Sequence, residues 1–122
     1  MEKLIKDFIV LPLAIKVFRG DQEAFKVSKV NNVYFDKLDA VITQLQRDLI
    51  HVKHQLITVY HIDVKYLGNE KDVFKYTCKK NNEPRIVVFT SAELKEMTGE
   101  TMKRYLYGDR ASNFEHKERG WI

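Results

Sequence analysis

Leu38, Ile42, Leu45, Leu49, Val52 and Leu56 follow one another at spacings of 4, 3, 4, 3 and 4 residues, and Phe35 extends the stripe backward. Residues three and four apart stack on one side of an α-helix, so this rhythm fixes the apolar face of a long amphipathic helix starting between Val33 and Asp36. Such a face must be covered. A coiled-coil seam between two copies would use the same heptad. However, the flanking Asp39, Val41, Gln46, Asp48, Lys53 and Gln55 form no complementary charge set, and the repeat lasts only about three heptads. The expectation is therefore a monomer whose helix packs on its own sheet, with a homodimer through the Leu38–Leu56 helix as the alternative.

Both flanks of this helix show a period of two. In residues 8–18, Ile9, Leu11, Leu13, Ile15 and Val17 alternate with Phe8, Val10, Pro12, Ala14, Lys16 and Phe18, which predicts a strand with one buried face. Pro12 assigns it to an edge or a bulge, and a helix through Pro12 would cost about 3 kcal/mol. Arg19-Gly20-Asp21-Gln22 has turn chemistry, so its Arg-Gly-Asp tripeptide is read as a turn rather than an adhesion motif. Residues 23–30 then close a hairpin, with Phe25 and Val27 alternating against Lys26 and Ser28.

Downstream, residues 57–67, 73–80 and 85–89 predict three further strands, separated by turns at Gly68–Asp72 and Asn81–Pro84. Turns this short favour an antiparallel meander. The last strand is apolar on both faces, which predicts a central or well-covered position. Thr90-Ser91-Ala92-Glu93 is a capping-box pattern opening a final helix, weakened at Gly99 and stopped at Gly108. The expected fold is α+β: two layers, a mostly antiparallel five-stranded sheet with helices on one face, in the order β-β-α-β-β-β-α. Residues 1–108 form one domain, and the charged residues 109–122 form a mobile tail in which Trp121 and Ile122 could dock.

Composition narrows the function. With 44% apolar and 31% charged residues, the chain matches a soluble globular protein. No apolar run reaches the roughly 18 residues of a membrane span, and no signal peptide is recognisable. Cys78 is the single cysteine; it excludes an internal disulfide or a multi-cysteine zinc site and favours the reducing cytoplasm. Abundant Lys, Ile, Asn, Phe and Tyr against few Gly, Ala, Arg and Pro imply AT-rich codons, as in a low-GC bacterium or its phages.

No glycine-rich phosphate loop is present, and no spacing singles out a catalytic pair, so neither an enzyme nor a cofactor is expected. Three histidines are weak metal candidates: His51 and His54 share a helix face, and His61 falls on the next strand beside Asp63. The bland reading, chance histidines on a solvated face, is preferred, and no metal is expected. Cys78 alternates with Phe74 and Tyr76 and is read as a core thiol rather than a nucleophile.

The net charge of +4 is spread along the chain, which supports only weak nucleic-acid binding. Its best candidates are Lys75, Lys79, Lys80 and Arg85 on the hairpin from Lys75 to Arg85, and Lys103 and Arg104 at the end of the last helix. Residues 33–107 follow the α-β-β-β-α order of double-stranded-RNA-binding domains. Ser91-Ala92-Glu93-Leu94-Lys95-Glu96 stands where that family has a lysine cluster, so the likeness stops at topology. Tyr60, Tyr66, Tyr76, Tyr105 and Tyr107 exceed the needs of so small a core, and tyrosine is favoured at interfaces. Tyr60, Tyr66, Tyr105 and Tyr107 are the candidate partner-binding residues. The function expected is a small, non-catalytic, cytoplasmic interaction protein, accessory or inhibitory, that binds a protein partner and no membrane.

Overall fold

The heptad stripe does form a helix. In the computed structural model, which describes residues 2–27 and 32–108, it belongs to α2 (Asn32–Thr58). Leu38, Val41, Ile42, Leu45, Val52 and Leu56 are buried along it. What they cover is chiefly another helix, α1 (Glu2–Val27), rather than the sheet. Leu45 retains 0% of its exposure, so α1 covers the middle of the stripe within this one chain.

The existence of α1 corrects the sequence reading. Residues 8–18 and 23–27 are helical, the Arg19-Gly20-Asp21 turn is a stretch of the same helix, and residues 28–31 lie outside the described residues. Alternation over 8–18 was ambiguous because nearly every position from Phe8 to Ile15 is apolar, a pattern common to a strand and to a helix buried on two sides. The helix wins because both its sides find cover. Leu11, Ala14, Ile15 and Phe18 join the core shared with α2, while Ile9 and Val10 pack with Phe89 and Leu94 on the opposite side. Each fully buried branched aliphatic stabilises by about 1.5–3 kcal/mol, and several of them outweigh the roughly 3 kcal/mol cost of Pro12. Pro12 itself is exposed.

Three strands follow, β1 (Ile62–Glu70), β2 (Val73–Lys80) and β3 (Glu83–Thr90), in one antiparallel sheet of order β1-β2-β3. The order of elements is thus α-α-β-β-β-α, and the sheet has three strands, not five in the order β-β-α-β-β-β-α. Asn81 and Asn82, at φ 53° and 66°, make the two-residue turn between β2 and β3. Positive φ at both positions matches the right-handed strand twist, and Asn tolerates it better than most residues. β1 carries a bulge between Tyr66 and Gly68, where Gly68 takes φ 128°.

Directly paired residues share a face. Val64, Cys78 and Arg85 are in register on the inner face, as are Tyr66, Tyr76 and Val87. Val64, Cys78, Val87 and Phe89 meet the helices there. On the outer face the rows are Lys65–Thr77–Ile86 and Asp63–Lys79–Pro84, with Lys75 opposite Val88. β3 was expected to be central or covered. It is an edge strand, with Ile86 63% and Val88 52% exposed.

The last helix, α3 (Ser91–Leu106), starts with the expected capping box. Glu93 N–H donates to Thr90 Oγ1 at 3.1 Å, and Thr90 N–H donates to Glu93 Oε1 at 3.2 Å. The Ser91 N–H also donates to the Asp72 carbonyl at 2.8 Å, fixing the helix start to the β1–β2 turn. α3 runs unbroken through Gly99 and ends where Gly108 N–H reaches the carbonyls of Lys103 and Arg104. The tail expected at 109–122 lies outside the described residues.

Candidate interaction surface

The uncovered part of the sheet is a small apolar strip in a charged frame. Ile86 and Val88 stand on the outer face of β3, with Thr77 in the middle of the sheet beside them and Lys65, Lys75 and Lys79 around them. Two of these lysines face acids: Lys65 Nζ lies 3.6 Å from Asp63 and Lys75 Nζ 3.7 Å from Glu70. Both pairs are solvent-exposed, so they contribute little to stability and leave the side chains free to re-pair.

The backbone edge of β3 belongs to the same surface. Lys80 and Glu83 flank the two-residue turn, and in such a hairpin that pair is the hydrogen-bonded one. Counting from it, residues 84, 86, 88 and 90 aim their backbone groups away from β2. Pro84 has no N–H, and the Thr90 N–H is taken by Glu93. The outward N–H groups of the edge are therefore those of Ile86 and Val88; these, with the carbonyls of the same two residues, have no partner among the described residues.

The six basic candidates do not form one patch. Lys75 and Lys79 lie on the outer face, while Lys80 and Arg85 share the inner register and line a hollow of about 400 Å³ with Ile5, Ile62 and Cys78. Lys103 is exposed on α3, and Arg104 beside it turns into the groove described below. Glu93, which departs from a lysine-led helix start, is used in the capping box.

The tyrosines separate as well. Tyr66 is 54% exposed, with its ring 5.2 Å from that of Tyr76. Tyr107 is 79% exposed, under the Lys37 ammonium at 5.9 Å. Tyr60 is half-buried against the core. Tyr105, expected at the surface, is 4% exposed, and its hydroxyl donates to Asp48 Oδ2.

Tyr105 floors a polar groove of about 430 Å³ between the three helices, with Lys3 and Asp7 from α1, Asp48 and His51 from α2, and Thr101 and Arg104 from α3. Burial pushes the Asp7 carboxyl above the usual carboxylate range; Lys3 and Arg104 pull it down, and the Asp48 charge pushes it further up. Sequence reasoning missed this groove because Asp48 and Tyr105 are 57 residues apart. The one signal was Asp7, a lone acid next to an apolar run.

His51 lines the groove, His54 is exposed on α2, and His61 sits exposed at φ 55° before β1. Among the described residues no group of three or more His, Cys, Asp or Glu is placed to hold a metal ion. Cys78 is a buried thiol whose pKa burial pushes up, with Arg85 opposing, the opposite of an activated nucleophile. Among the described residues no helix is long and apolar enough to cross a membrane.

No curated protein and no solved structure matches the chain. A family model described as YhjD protein matches residues 1–110, which takes in every described element from α1 to α3. The chain belongs to the YhjD protein family.

Proposed function

We propose that the protein is a small, non-catalytic, cytoplasmic interaction protein that binds a protein partner through β3. The observation that supports this reading is the pairing of a free backbone edge at Ile86 and Val88 with exposed side chains at the same two residues. Edge strands in monomeric proteins are usually blunted along their length by charge, proline or a covering loop. Here the blunting is confined to the ends, at Pro84 and at the capped Thr90, and the middle of the strand carries only aliphatic side chains. Strand addition uses such an edge: main-chain hydrogen bonds supply affinity and the alternate side chains supply selectivity.

The test is site-specific photo-crosslinking in the cell that encodes the protein, with the reactive residue at position 88 and, as control, at the exposed Lys53 of α2. The expected result is a discrete protein adduct from position 88 and none from position 53. Equal, diffuse labelling from both positions would refute the reading. Adducts to nucleic acid would replace it with the nucleic-acid class.

A further inference from the structure

We propose that the partner of β3 is β3 of a second copy, paired antiparallel about Val87, so that two three-stranded sheets join into one of six strands. This rests on the reading of β3 as the docking strand and names its occupant. In this register Ile86 faces Val88 of the second copy, and Val88 faces Ile86. Each pair exchanges two bonds, so the N–H groups of Ile86 and Val88 on both chains all find carbonyl acceptors. No outward N–H is left over, because the two blocked positions fall opposite each other. Pro84, which has no N–H, faces Thr90, whose N–H is already held by Glu93. The blocked ends are equidistant from Val87, and a two-fold axis through that residue requires this symmetry.

Side-chain chemistry supports the same register. On the outer face, Ile86 and Val88 from both chains form one four-residue aliphatic cluster, covering side chains that are 63% and 52% exposed in one chain. Residues 86–88 carry no charge, and the nearest cation, Arg85, falls opposite the uncharged Phe89. Two chains of net charge +4 thus meet without like charges in directly opposed positions. On the inner face, Val87 meets Val87 as a non-hydrogen-bonded pair, whose Cα atoms approach to about 4.5 Å.

The test begins with sedimentation of the full chain from about 1 to about 100 µM, since dimerisation makes mass concentration-dependent. The expected mass rises toward twice the 14.4 kDa of one chain. Val88→Pro removes only an outward N–H and leaves the ladder to β2 intact, so it should stay monomeric with an unchanged far-UV circular dichroism spectrum. In a Cys78→Ser background, Val87→Cys should form a covalent dimer under mild oxidant, because the pair lies within disulfide reach. Ile86→Cys should not.

If a variant fails to fold, amide exchange of the wild-type chain still decides. Exchange at Ile86 and Val88 should slow at least tenfold from the lowest to the highest concentration, with Val64 on the opposite edge unchanged. A monomer throughout, a dimer that survives Val88→Pro, or crosslinking at position 86 instead of 87 would each overturn the proposal. If the chain stays monomeric while position 88 still captures a different protein, the docking reading stands with another occupant. If neither occurs, both fall.

Discussion

Leu45→Ala tests the packing of α2 on α1 most directly. Leu45 is 0% exposed and lies in the cluster with Leu11, Ala14, Ile15 and Phe18. Removing its three outer carbon atoms forfeits about 2.4 kcal/mol of transfer free energy, at about 0.8 kcal/mol per group. A void of up to roughly 70 Å³ adds about 1.5 kcal/mol where the helices cannot close over it. The expected loss is therefore about 4 kcal/mol. Leu49→Ala, one turn along the same stripe at a half-buried position, opens to solvent rather than leaving a closed void and should cost about 1–1.5 kcal/mol. Ile50→Ala, at 69% exposure, should change stability by no more than about 0.5 kcal/mol. Urea unfolding followed by far-UV circular dichroism measures all three, with an unchanged m value as the check that the unfolded state is the same. Equal losses at Leu45 and Leu49, or a loss below about 1.5 kcal/mol at Leu45, would refute the helix-on-helix core.

Four shorter tests follow from other features. Because burial raises the Asp7 pKa above its unfolded value, the folded state holds the proton more tightly and wild-type stability falls as pH rises through that folded pKa. Asp7→Asn should therefore be more stable than wild type at neutral pH in thermal melts, with the gain vanishing below the unfolded value near 3.8. Thr90→Ala removes the side-chain acceptor of the capping box and should cost about 1 kcal/mol by denaturant titration. Asn82, at φ 66°, should tolerate Gly but lose about 1–2 kcal/mol as Val, which reaches the left-handed region only with strain; paired melts of the two variants measure the difference. Anisotropy titration with DNA and RNA should give dissociation constants near 10⁻⁴ M or weaker at physiological salt, the feeble end of non-specific binding. Tight binding abolished by Lys65, Lys75 and Lys79→Gln would overturn that ranking.

Legibility in the sequence followed how many readings a local pattern allowed. The stripe from Leu38 to Leu56 had one period, and α2 formed there. Thr90 and Glu93 act within one turn of chain, so the capping box formed as expected. The meander likewise depended on short turns such as Asn81-Asn82. α1 was illegible because Phe8 to Ile15 offers apolar side chains to both a period of two and a period of 3.6, and only the presence of cover on two sides decides between them. The same gap misplaced β3: Ile86 and Val88 look identical in sequence whether a layer covers them or not. Tyr105 and Asp48 became neighbours only through the packing of α3 on the other helices, which no local spacing encodes.

The position of α1 between its two sets of partners has a consequence during synthesis. α1 leaves the ribosome before every element it packs on, yet Ile9 and Val10 wait for Phe89 and Leu94. At about 5–20 residues per second, that interval lasts roughly 4–17 s. Through it the chain carries a helix that is apolar from Phe8 to Ile15 and has no cover on its second side, and closing such distant contacts is slow in its own right. Yield in the cell is then expected to depend on translation speed and chaperone supply as well as on the stability of the finished fold. A chain cut short before Phe89 and Leu94 leaves its most apolar helix half-clothed, a better substrate for proteolysis than for folding.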